Sequence, residues 1–388
     1  MIIQREITRK LIALSKKFKI VSVMGPRQSG KTTLVQLAFP KYAYASMEDT
    51  DVRHHAEKDP RGFLQSLGNG AILDEAQRVP HLFSYLQTLV DKNKKAGQFI
   101  ITGSSNYLMH HEISQSLAGR VAVLRLLPLS MPELEAAEYP VKRLNKLMFK
   151  GSYPPVYERN IHPADWYGSY IQTYIERDVR QIQNIGNLSL FQRFLRLCAG
   201  RAGQIINYSS LGNDCGVSHH TIRNWMSILE SSFIIYLLQP YYVNFNKRVM
   251  KTPKLFFYDT GIAAFLLGIK SESQLNDHFI TGHLMENFVI TELIKNSCNK
   301  GLNTDFYYWR DKTGNEVDCL VDKGNTRLLV EIKRGKTLNN DYFRGIEYYK
   351  SLDKRHKLKA WLVYDGEHQS KSGFIRTINW KNIQEVDV

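Results

Sequence analysis

Apolar and polar positions along the first part of the chain follow the pattern of strands that alternate with helices. Ile20–Met24 is apolar and β-branched, and it precedes a glycine-bounded loop and the apolar face of a helix. Further strands are predicted at 42–47, 71–73, 98–102 and 121–127. Since strands and helices alternate, we predict an α/β fold in which helices cover a parallel sheet of the nucleotide-binding kind.

The rest of the chain follows two other patterns. Residues 151–270 are predicted to be helical, with helix–turn–helix character at 208–225 and a wing formed by 233–243 and the turn that follows. Residues 271–388 predict a helix at 282–296, strands at 306–310, 316–321 and 327–332, a helix at 340–352 and a strand at 358–364. We therefore predict three domains: an α/β domain at 1–150, a helical and winged-helix region at 151–270, and a small α/β domain at 271–388.

Composition narrows the class of protein. The 388 residues are 43% hydrophobic and 11% aromatic, which is typical of folded domains rather than disorder. The net charge is +15, with the basic excess in the first two regions, and either a polyanionic partner or a generally basic, solvated surface explains it. Four scattered cysteines without a CxxC pair favour a reducing compartment and disfavour structural zinc.

The termini and apolar runs give no sign of a membrane protein. Residues 1–19 are rich in Lys and Arg, and Ile7, Leu11 and Leu14 predict an amphipathic helix rather than a signal peptide. The longest apolar stretches are far too short to cross a bilayer. We therefore predict a cytoplasmic protein without a membrane partner.

The loop after the first strand matches the P-loop pattern Gly-x4-Gly-Lys-[Ser/Thr]. Its glycines allow successive backbone N–H groups to point at one anion, and the following helix adds its own N–H groups and positive dipole end. Lys31 would reach the β- and γ-phosphates, and the Thr32 hydroxyl would bind Mg²⁺. A plain glycine turn is the competing interpretation. The predicted nucleotide-binding residues are Gly25, Pro26, Arg27, Gln28, Ser29, Gly30, Lys31, Thr32 and Thr33.

Two adjacent acids end the predicted strand at 71–73. In P-loop ATPases the first acid of such a pair holds the Mg²⁺ shell and the second activates the attacking water, so we assign these roles to Asp74 and Glu75. Side chains alternate along a strand, which predicts that the two carboxylates point to opposite faces. A strand that ends in solvated acids is the alternative.

Two further segments are candidates for assisting catalysis. The strand at 98–102 ends in small polar residues, and it suits a neighbouring strand that brings Ser104, Ser105 or Asn106 near the γ-phosphate. Arg120 precedes the next strand and is a candidate for stabilising the transferred phosphoryl group, in its own chain or in a neighbouring subunit. A solvated arginine before a strand explains Arg120 equally simply.

Four of these stretches, GPRQSGKTT, AILDEAQ, FIITGSS and SLAGR, carry a resemblance by their order and spacing. They resemble the prokaryotic AAA-type ATPases of the additional-strand catalytic-glutamate division. The stretches 150–154 and 174–179 resemble a branch in which this ATPase is fused to a C-terminal domain of unknown function, although Ser152 replaces a frequent glycine. The resemblance implies ATP as the nucleotide, Mg²⁺ as cofactor and possible homo-oligomers, and it names no substrate.

The helix–turn–helix stretch is a candidate DNA-binding element. Gly216 ends a short helix, Ser218 is a plausible N-cap, and the next helix has an apolar stripe formed by Ile222, Trp225, Met226 and Leu229. The predicted groove contacts are His219, His220, Arg223 and Asn224, and the predicted phosphate contacts are Lys247 and Arg248. Packing against protein, or transmission of the ATPase state, is the alternative.

The last region contains a pattern that resembles the D…E-x-K motif of restriction-endonuclease-like folds. Asp318 lies on one predicted strand, Glu331 and Lys333 project from the same side of the next, and Glu286 resembles the extra acid of the exonuclease-type branch. The acids would bind a divalent cation, and Lys333 would steady water or phosphate. Val317 replaces the usual proline, and the near-neutral charge of this region argues against a DNA-cutting surface. An inactive descendant of the nuclease fold is therefore favoured over active cleavage, and the solvated face of a sheet would give the same pattern.

The predicted function is a Mg²⁺-dependent ATP-binding protein and ATPase, coupled to the winged-helix and nuclease-like regions. One alternative is an ATP-dependent nuclease that acts on DNA or RNA. Another is a nucleotide-gated switch that binds DNA or protein and cuts neither. A kinase is the weakest interpretation, because the chain shows no acceptor-site signature.

Overall fold

The structure is a computed structural model that describes residues 2–68, 70–93, 95–104, 116–174, 187–241 and 252–388. It divides into two compact units. The first unit comprises Met1–Leu129, Glu230–Ile234 and Cys298–Leu302. The second unit comprises Ser130–Leu229, Ile235–Ser297 and Asn303–Val388.

Short strands and helices alternate in the first unit. Its strands are β1 Ile20–Met24, β2 Ala43–Ser46, β3 Ala71–Asp74, β4 Phe99–Gly103 and β5 Val121–Arg125. Its helices are α1 Thr8–Ser15, α2 Lys31–Ala38, α3 Thr50–Lys58, α4 Pro60–Ser66 and α5 Leu82–Lys92, with a 3₁₀ turn at Ala76–Arg78.

The sheet of the first unit is parallel and has the strand order β2-β3-β4-β1-β5. β4 therefore lies between the strand that precedes the P-loop and the strand that ends in Asp74, which confirms its predicted position as a neighbouring strand. Strands β1, β3 and β4 are buried throughout because helices cover the sheet, as a parallel sheet requires. Ile7 and Leu11 of the predicted amphipathic N-terminal helix pack into this core.

The second unit combines helices with a mixed sheet. The helices are α6 Met131–Ala136, α7 Leu144–Lys150, α8 Pro154–Glu158, α9 Pro163–Tyr174, α10 Leu188–Ala199, α11 Tyr208–Cys215, α12 His219–Ser231, α13 Thr260–Leu266, α14 Thr281–Asn299 and α15 Arg344–Leu352. The strands are β6 Gln204–Ile205, β7 Ile235–Pro240, β8 Lys254–Phe257, β9 Phe306–Arg310, β10 Glu316–Lys323, β11 Thr326–Lys333, β12 Lys357–Tyr364, β13 Ser370–Ser372 and β14 Ile375–Asn379. There are 3₁₀ turns at Glu272–Leu275, Asn340–Phe343 and Trp380–Glu385.

All nine of these strands form one sheet, with the order β13-β14-β12-β11-β10-β9-β7-β8-β6. β7 pairs with β9 in parallel through Gln239 and Tyr307, so strands from the predicted second and third domains share a sheet. The predicted fold class, a parallel α/β sheet followed by helices and a further α/β region, is confirmed. The division into three domains stays a prediction.

The helix–turn–helix stretch forms α11 and α12, joined by a tight turn. Gly216 ends α11 with a left-handed backbone (φ 75°), which glycine adopts without the steric cost that a Cβ brings. Ser218 caps α12, since its Oγ accepts a hydrogen bond from the N–H of Thr221 at 3.1 Å. The predicted apolar stripe of α12 is buried.

Within the described ranges, no helix combines the length and the apolar character needed to cross a membrane.

Candidate functional site

The loop between β1 and α2 turns tightly at its two glycines. Gly30 has φ +90°, a left-handed conformation that favours glycine, and it leads directly into α2. At Gly25 a Cβ would lie 2.0 Å from the carbonyl oxygen of Leu126, so only glycine permits this approach of two backbones. The loop therefore has the strand–turn–helix context that the motif predicts.

Lys31 lies inside this loop and is buried. Its Nζ donates hydrogen bonds to the carbonyl oxygens of Gly25 at 3.0 Å and Pro26 at 2.9 Å. Burial lowers the pKa of Lys31, and the charges of Glu75 and Asp74 oppose that shift. Among the described residues the buried Ser29 Oγ has no hydrogen-bond partner. Ser29 and Lys31 therefore both lie in the loop for which phosphate binding is predicted, and Lys31 is hydrogen-bonded there to the loop itself.

Asp74 ends β3 and accepts hydrogen bonds from three hydroxyl groups. Thr32 Oγ1 donates to its two carboxylate oxygens at 3.1 and 3.0 Å, and Tyr44 Oη donates at 2.8 Å. Thr102 on β4 is the third donor. Burial raises the pKa of Tyr44 to about 12, and its bond to Asp74 adds to the shift. The predicted Mg²⁺-binding pair, Thr32 and Asp74, thus lies within hydrogen-bond distance.

The direction of Glu75 differs from the prediction. β3 ends at Asp74, and Glu75 adopts a left-handed conformation with φ 53° and ψ 43°, so the two acids do not occupy opposite faces of one strand. The Glu75 N–H donates to Thr102 Oγ1 at 3.1 Å, which holds this turn. The alternation rule was wrong here because it applies only within an extended strand.

The Glu75 carboxylate is held by two donors. Ser104 Oγ donates to its Oε2 at 2.7 Å, and Gln77 Nε2 donates to the same atom at 2.6 Å. Burial raises the pKa of Glu75, but the Lys31 charge and these two hydrogen bonds outweigh burial and give a net lowering. The group is therefore ionised at neutral pH. Ser105 and Asn106, the other two candidates, lie outside the described residues.

Sequence reasoning missed four residues that shape this site: Arg5, Tyr44, Gln77 and Thr102. Arg5 is buried, and it donates to the carbonyl oxygens of Ser29 at 2.6 Å and Leu127 at 2.7 Å. No sequence motif predicts these two hydrogen bonds of Arg5. Thr102 gave a weak signal, since it is a polar residue in an otherwise apolar strand.

The structure does not bring Arg120 to this site. β1 and β5 are parallel with Ile20 opposite Val121, so Arg120 lies where β1 begins, whereas the P-loop follows the end of β1. Five residues of strand span roughly 16 Å. Arg120 instead binds both carboxylate oxygens of Asp91 on α5, at 2.7 and 2.8 Å. A role in a neighbouring subunit stays a prediction.

A second cluster lies in the second unit, where the structure brings together all four residues of the predicted nuclease-like site. Lys333 Nζ lies 2.5 Å from Glu331 Oε1 and 3.8 Å from Asp318 Oδ2. Oxygens of Glu286, Glu316 and Asp318 lie within 4.8 Å of one another. Sequence reasoning missed Glu316 and also Lys254, whose Nζ lies 2.8 Å from Glu286 Oε1 and pairs with Glu316.

Burial and neighbouring charges compete in this cluster. At Glu286 the charge of Lys254 and hydrogen bonds from Lys254 and His283 outweigh burial and lower the pKa. At two other acids burial prevails. It raises the pKa of Asp318 to about 6 and that of Glu331 to about 8, with each carboxylate further affected by its acidic neighbours. Glu331 Oε2 is buried and has no hydrogen-bond partner within the described ranges. The cluster therefore holds buried acids whose pKa values are shifted in opposite directions.

The predicted DNA contacts His219, His220, Arg223 and Asn224 are exposed on α12. Arg223 lies over the ring of Tyr208, with its guanidinium carbon 4.5 Å from the ring centroid. Lys247 and Arg248 lie outside the described residues. The exposed face is compatible with a groove contact and equally with a protein contact.

The stretch at 150–154, to which no chemistry was assigned, belongs to a buried polar network. Ser152 donates through its N–H and Oγ to Asp259 Oδ2 at 2.7 and 2.9 Å, and Lys295 Nζ donates to Ser152 Oγ at 2.9 Å. Lys295 also pairs with Glu292 at 2.8 Å. This stretch therefore contributes to packing and to hydrogen bonding inside the second unit.

The parallel sheet, the glycine-bounded loop and the acid at the end of β3 are those of a P-loop nucleotide-binding fold. Residues 17–135 match a family model described as an AAA domain, which supports this class. Residues 141–273 and 281–383 match two models that are each described as a domain of unknown function.

Relatives extend the similarity beyond the AAA region. An uncharacterized protein of Mycobacterium tuberculosis is 29% identical over 371 residues, covering 94% of this chain and 81% of the relative. An uncharacterized protein of Methanocaldococcus jannaschii is 24% identical over 390 residues, covering 92% of this chain and 83% of the relative. Among solved structures, a Walker-type ATPase of Pyrococcus abyssi aligns with a TM-score of 0.46 at 13% identity, covering 68% of this chain and 96% of that chain.

Proposed function

We propose that the protein is a Mg²⁺-dependent ATPase whose nucleotide site lies at the carboxyl end of β1. The observation that carries the proposal is the connected set formed by Thr32, Asp74, Thr102 and Glu75, in which each member is hydrogen-bonded to the next. In a P-loop site, this set joins the metal-binding side to the water-activating side.

The P-loop would bind the phosphates with backbone N–H groups from Gly25 to Lys31 and with the amino end of α2. The Lys31 ammonium now bonds to two loop carbonyls, and a phosphate would offer it a charged partner in their place. Thr32 and Asp74 fit Mg²⁺, because they present hard oxygen donors in contact with each other. When bound, Mg²⁺ neutralises charge on the β- and γ-phosphates.

Glu75 would orient the attacking water and accept its proton. Its carboxylate is ionised and held by Ser104 and Gln77, so one oxygen has a fixed direction. Ser104 acts through Glu75 in this scheme and is a positioning residue.

The test is Glu75→Gln, which keeps the shape of the side chain and removes its charge. We expect ATP binding measured by calorimetry to be retained, and phosphate release to fall at least about 100-fold. Glu57→Gln on the exposed part of α3 is the matched control and should retain wild-type turnover. Turnover that persists in Glu75→Gln would exclude Glu75 as the base.

A second candidate function is cleavage of DNA or RNA by the cluster in the second unit. The proximity of Glu286, Asp318, Glu331 and Lys333 favours it, since carboxylates suit a divalent cation and Lys333 would hold water or phosphate. Incubation with plasmid or single-stranded DNA and Mn²⁺ tests this function. Cleavage that is lost in Lys333→Ala supports a nuclease.

The rival to cleavage is a nucleotide-gated switch that binds DNA or a protein partner through α12. The exposed Arg223 and Asn224 support it. An ATP-dependent gel shift without cleavage, weakened by Arg223→Ala, would support the switch. A shift that is independent of both ATP and Arg223 would count against it.

A further inference from the structure

Lys254 occupies the place of a cation among the acids of the second unit. It lies on β8, its side chain is 4% exposed, and its Nζ lies 2.8 Å from Glu286 Oε1. The same ammonium pairs with Glu316 of β10. One buried nitrogen therefore bridges two carboxylates from different elements.

The oxygens around it have the spacing of a metal site. Those of Glu286, Glu316 and Asp318 lie within 4.8 Å of one another, which is close enough for all three to ligate one ion. Next to them, the buried Glu331 Oε2 has no hydrogen-bond partner in the part of the chain that the structure describes. The donor set suits a hard divalent cation, but the structure already provides it with a positive charge.

Every carboxylate of the cluster faces a lysine. Lys254 pairs with Glu286 and Glu316, while Lys333 pairs with Glu331 and lies 3.8 Å from Asp318. Arg310 adds a contact to Glu316 at 3.2 Å. A divalent ion at the centre would have to displace or tolerate these fixed charges.

We propose that the Lys254 ammonium is the built-in cation of this site, and that it keeps divalent ions out. Removal of the ammonium would leave the buried Glu286 without its lysine partner and the half-buried Glu316 with Arg310 as its remaining close cation, and a divalent ion would replace the lost charge. The inference concerns the same acids as the candidate nuclease and counts against that candidate, because it predicts negligible divalent-ion binding in the wild type. Its test requires neither ATP nor nucleic acid.

The experiment measures Mn²⁺ binding to the full chain without nucleotide, using the electron paramagnetic resonance signal of the free ion. Ions bound at this site are those whose binding is lost in Glu316→Gln. We expect negligible binding at this site in the wild type and at least roughly tenfold tighter binding in Lys254→Met, because repulsion by one ammonium a few ångströms away is worth more than a factor of ten.

Lys295→Met is the matched control. Lys295 is also buried and paired with a glutamate in the second unit, so its loss removes a similar ion pair elsewhere. Its Mn²⁺ affinity should equal that of the wild type. Adding Glu316→Gln to Lys254→Met should abolish the gain.

Three results would overturn the proposal. The first is micromolar Mn²⁺ binding to the wild type that Glu316→Gln removes, since the site would then be open despite Lys254. The second is a folded Lys254→Met protein that binds Mn²⁺ no more tightly than the wild type. The third applies if Lys254→Met unfolds in EDTA: it is a failure of Mn²⁺ to restore the native circular dichroism spectrum. A spectrum that Mn²⁺ restores and Na⁺ does not would instead support the proposal.

Discussion

Replacing Thr102 with valine would test how the two acids of the ATPase site are held. Thr102 is buried on β4, and its hydroxyl donates to Asp74 while accepting the Glu75 N–H at 3.1 Å. Valine has almost the same shape, so the change removes two hydrogen bonds and leaves the packing intact.

The magnitude follows from the partners that are left. A hydrogen bond to a charged group contributes about 1.5–3 kcal/mol, and an unsatisfied backbone N–H costs about 1–3 kcal/mol. Asp74 keeps Thr32 and Tyr44 as donors, which offsets part of the loss. We therefore expect the free energy of unfolding to fall by roughly 2–4 kcal/mol.

The effect on turnover should exceed the effect on ATP affinity. Glu75 has a left-handed backbone, which costs on the order of 1–3 kcal/mol for a residue other than glycine, and the hydroxyl of Thr102 holds it there. If Glu75 relaxes, its carboxylate loses its fixed direction, and a loss of about 1.4–2.8 kcal/mol corresponds to a kcat reduced 10- to 100-fold.

Urea denaturation and steady-state phosphate release measure the two effects. Thr102→Ser is the control, since it keeps the hydroxyl and should retain most of the activity. Wild-type stability and kcat in Thr102→Val would show that the Thr102 hydroxyl does not hold the two acids. An equal loss in Thr102→Ser would mean that the methyl group, and not the hydroxyl, is what matters.

Three other substitutions test contacts that motifs do not reveal. Arg5→Met should lower the free energy of unfolding by roughly 2–4 kcal/mol in denaturant titrations, because two backbone carbonyls lose a charged donor; Arg5→Lys should restore only part of it. Gly151→Ala should cost more than about 3 kcal/mol, since its Cβ would lie 1.8 Å from Tyr167 Oη, whereas Gly216→Ala, with open space around a similar φ, should cost about 1 kcal/mol. Arg120→Ala should leave ATP turnover of the isolated chain unchanged, because Arg120 lies at the amino ends of the strands and the P-loop lies at their carboxyl ends. A large loss of turnover that grows with protein concentration would support a role between subunits.

Much of the fold was predictable from local patterns. β9 was predicted at the bounds that the structure has, and β10, β11 and β12 differ by at most two residues at either end. The glycines of the P-loop and the buried stripe of α12 were also predictable, because each depends on a residue and its near neighbours. The conformation of Glu75 was not, since it depends on a hydrogen bond from another strand.

By itself, therefore, the sequence determined the strands and helices, the P-loop and the identity of the acids that follow it. Which side chains meet depends instead on the packing of distant elements, as in three pairs: Thr102 with Asp74 across 28 residues, Arg120 with Asp91 across 29, and Lys254 with Glu286 across 32. The physical reason is that periodicity records only which face of an element is buried. The order of the strands in the sheet, which no local pattern records, determines which faces and ends lie together.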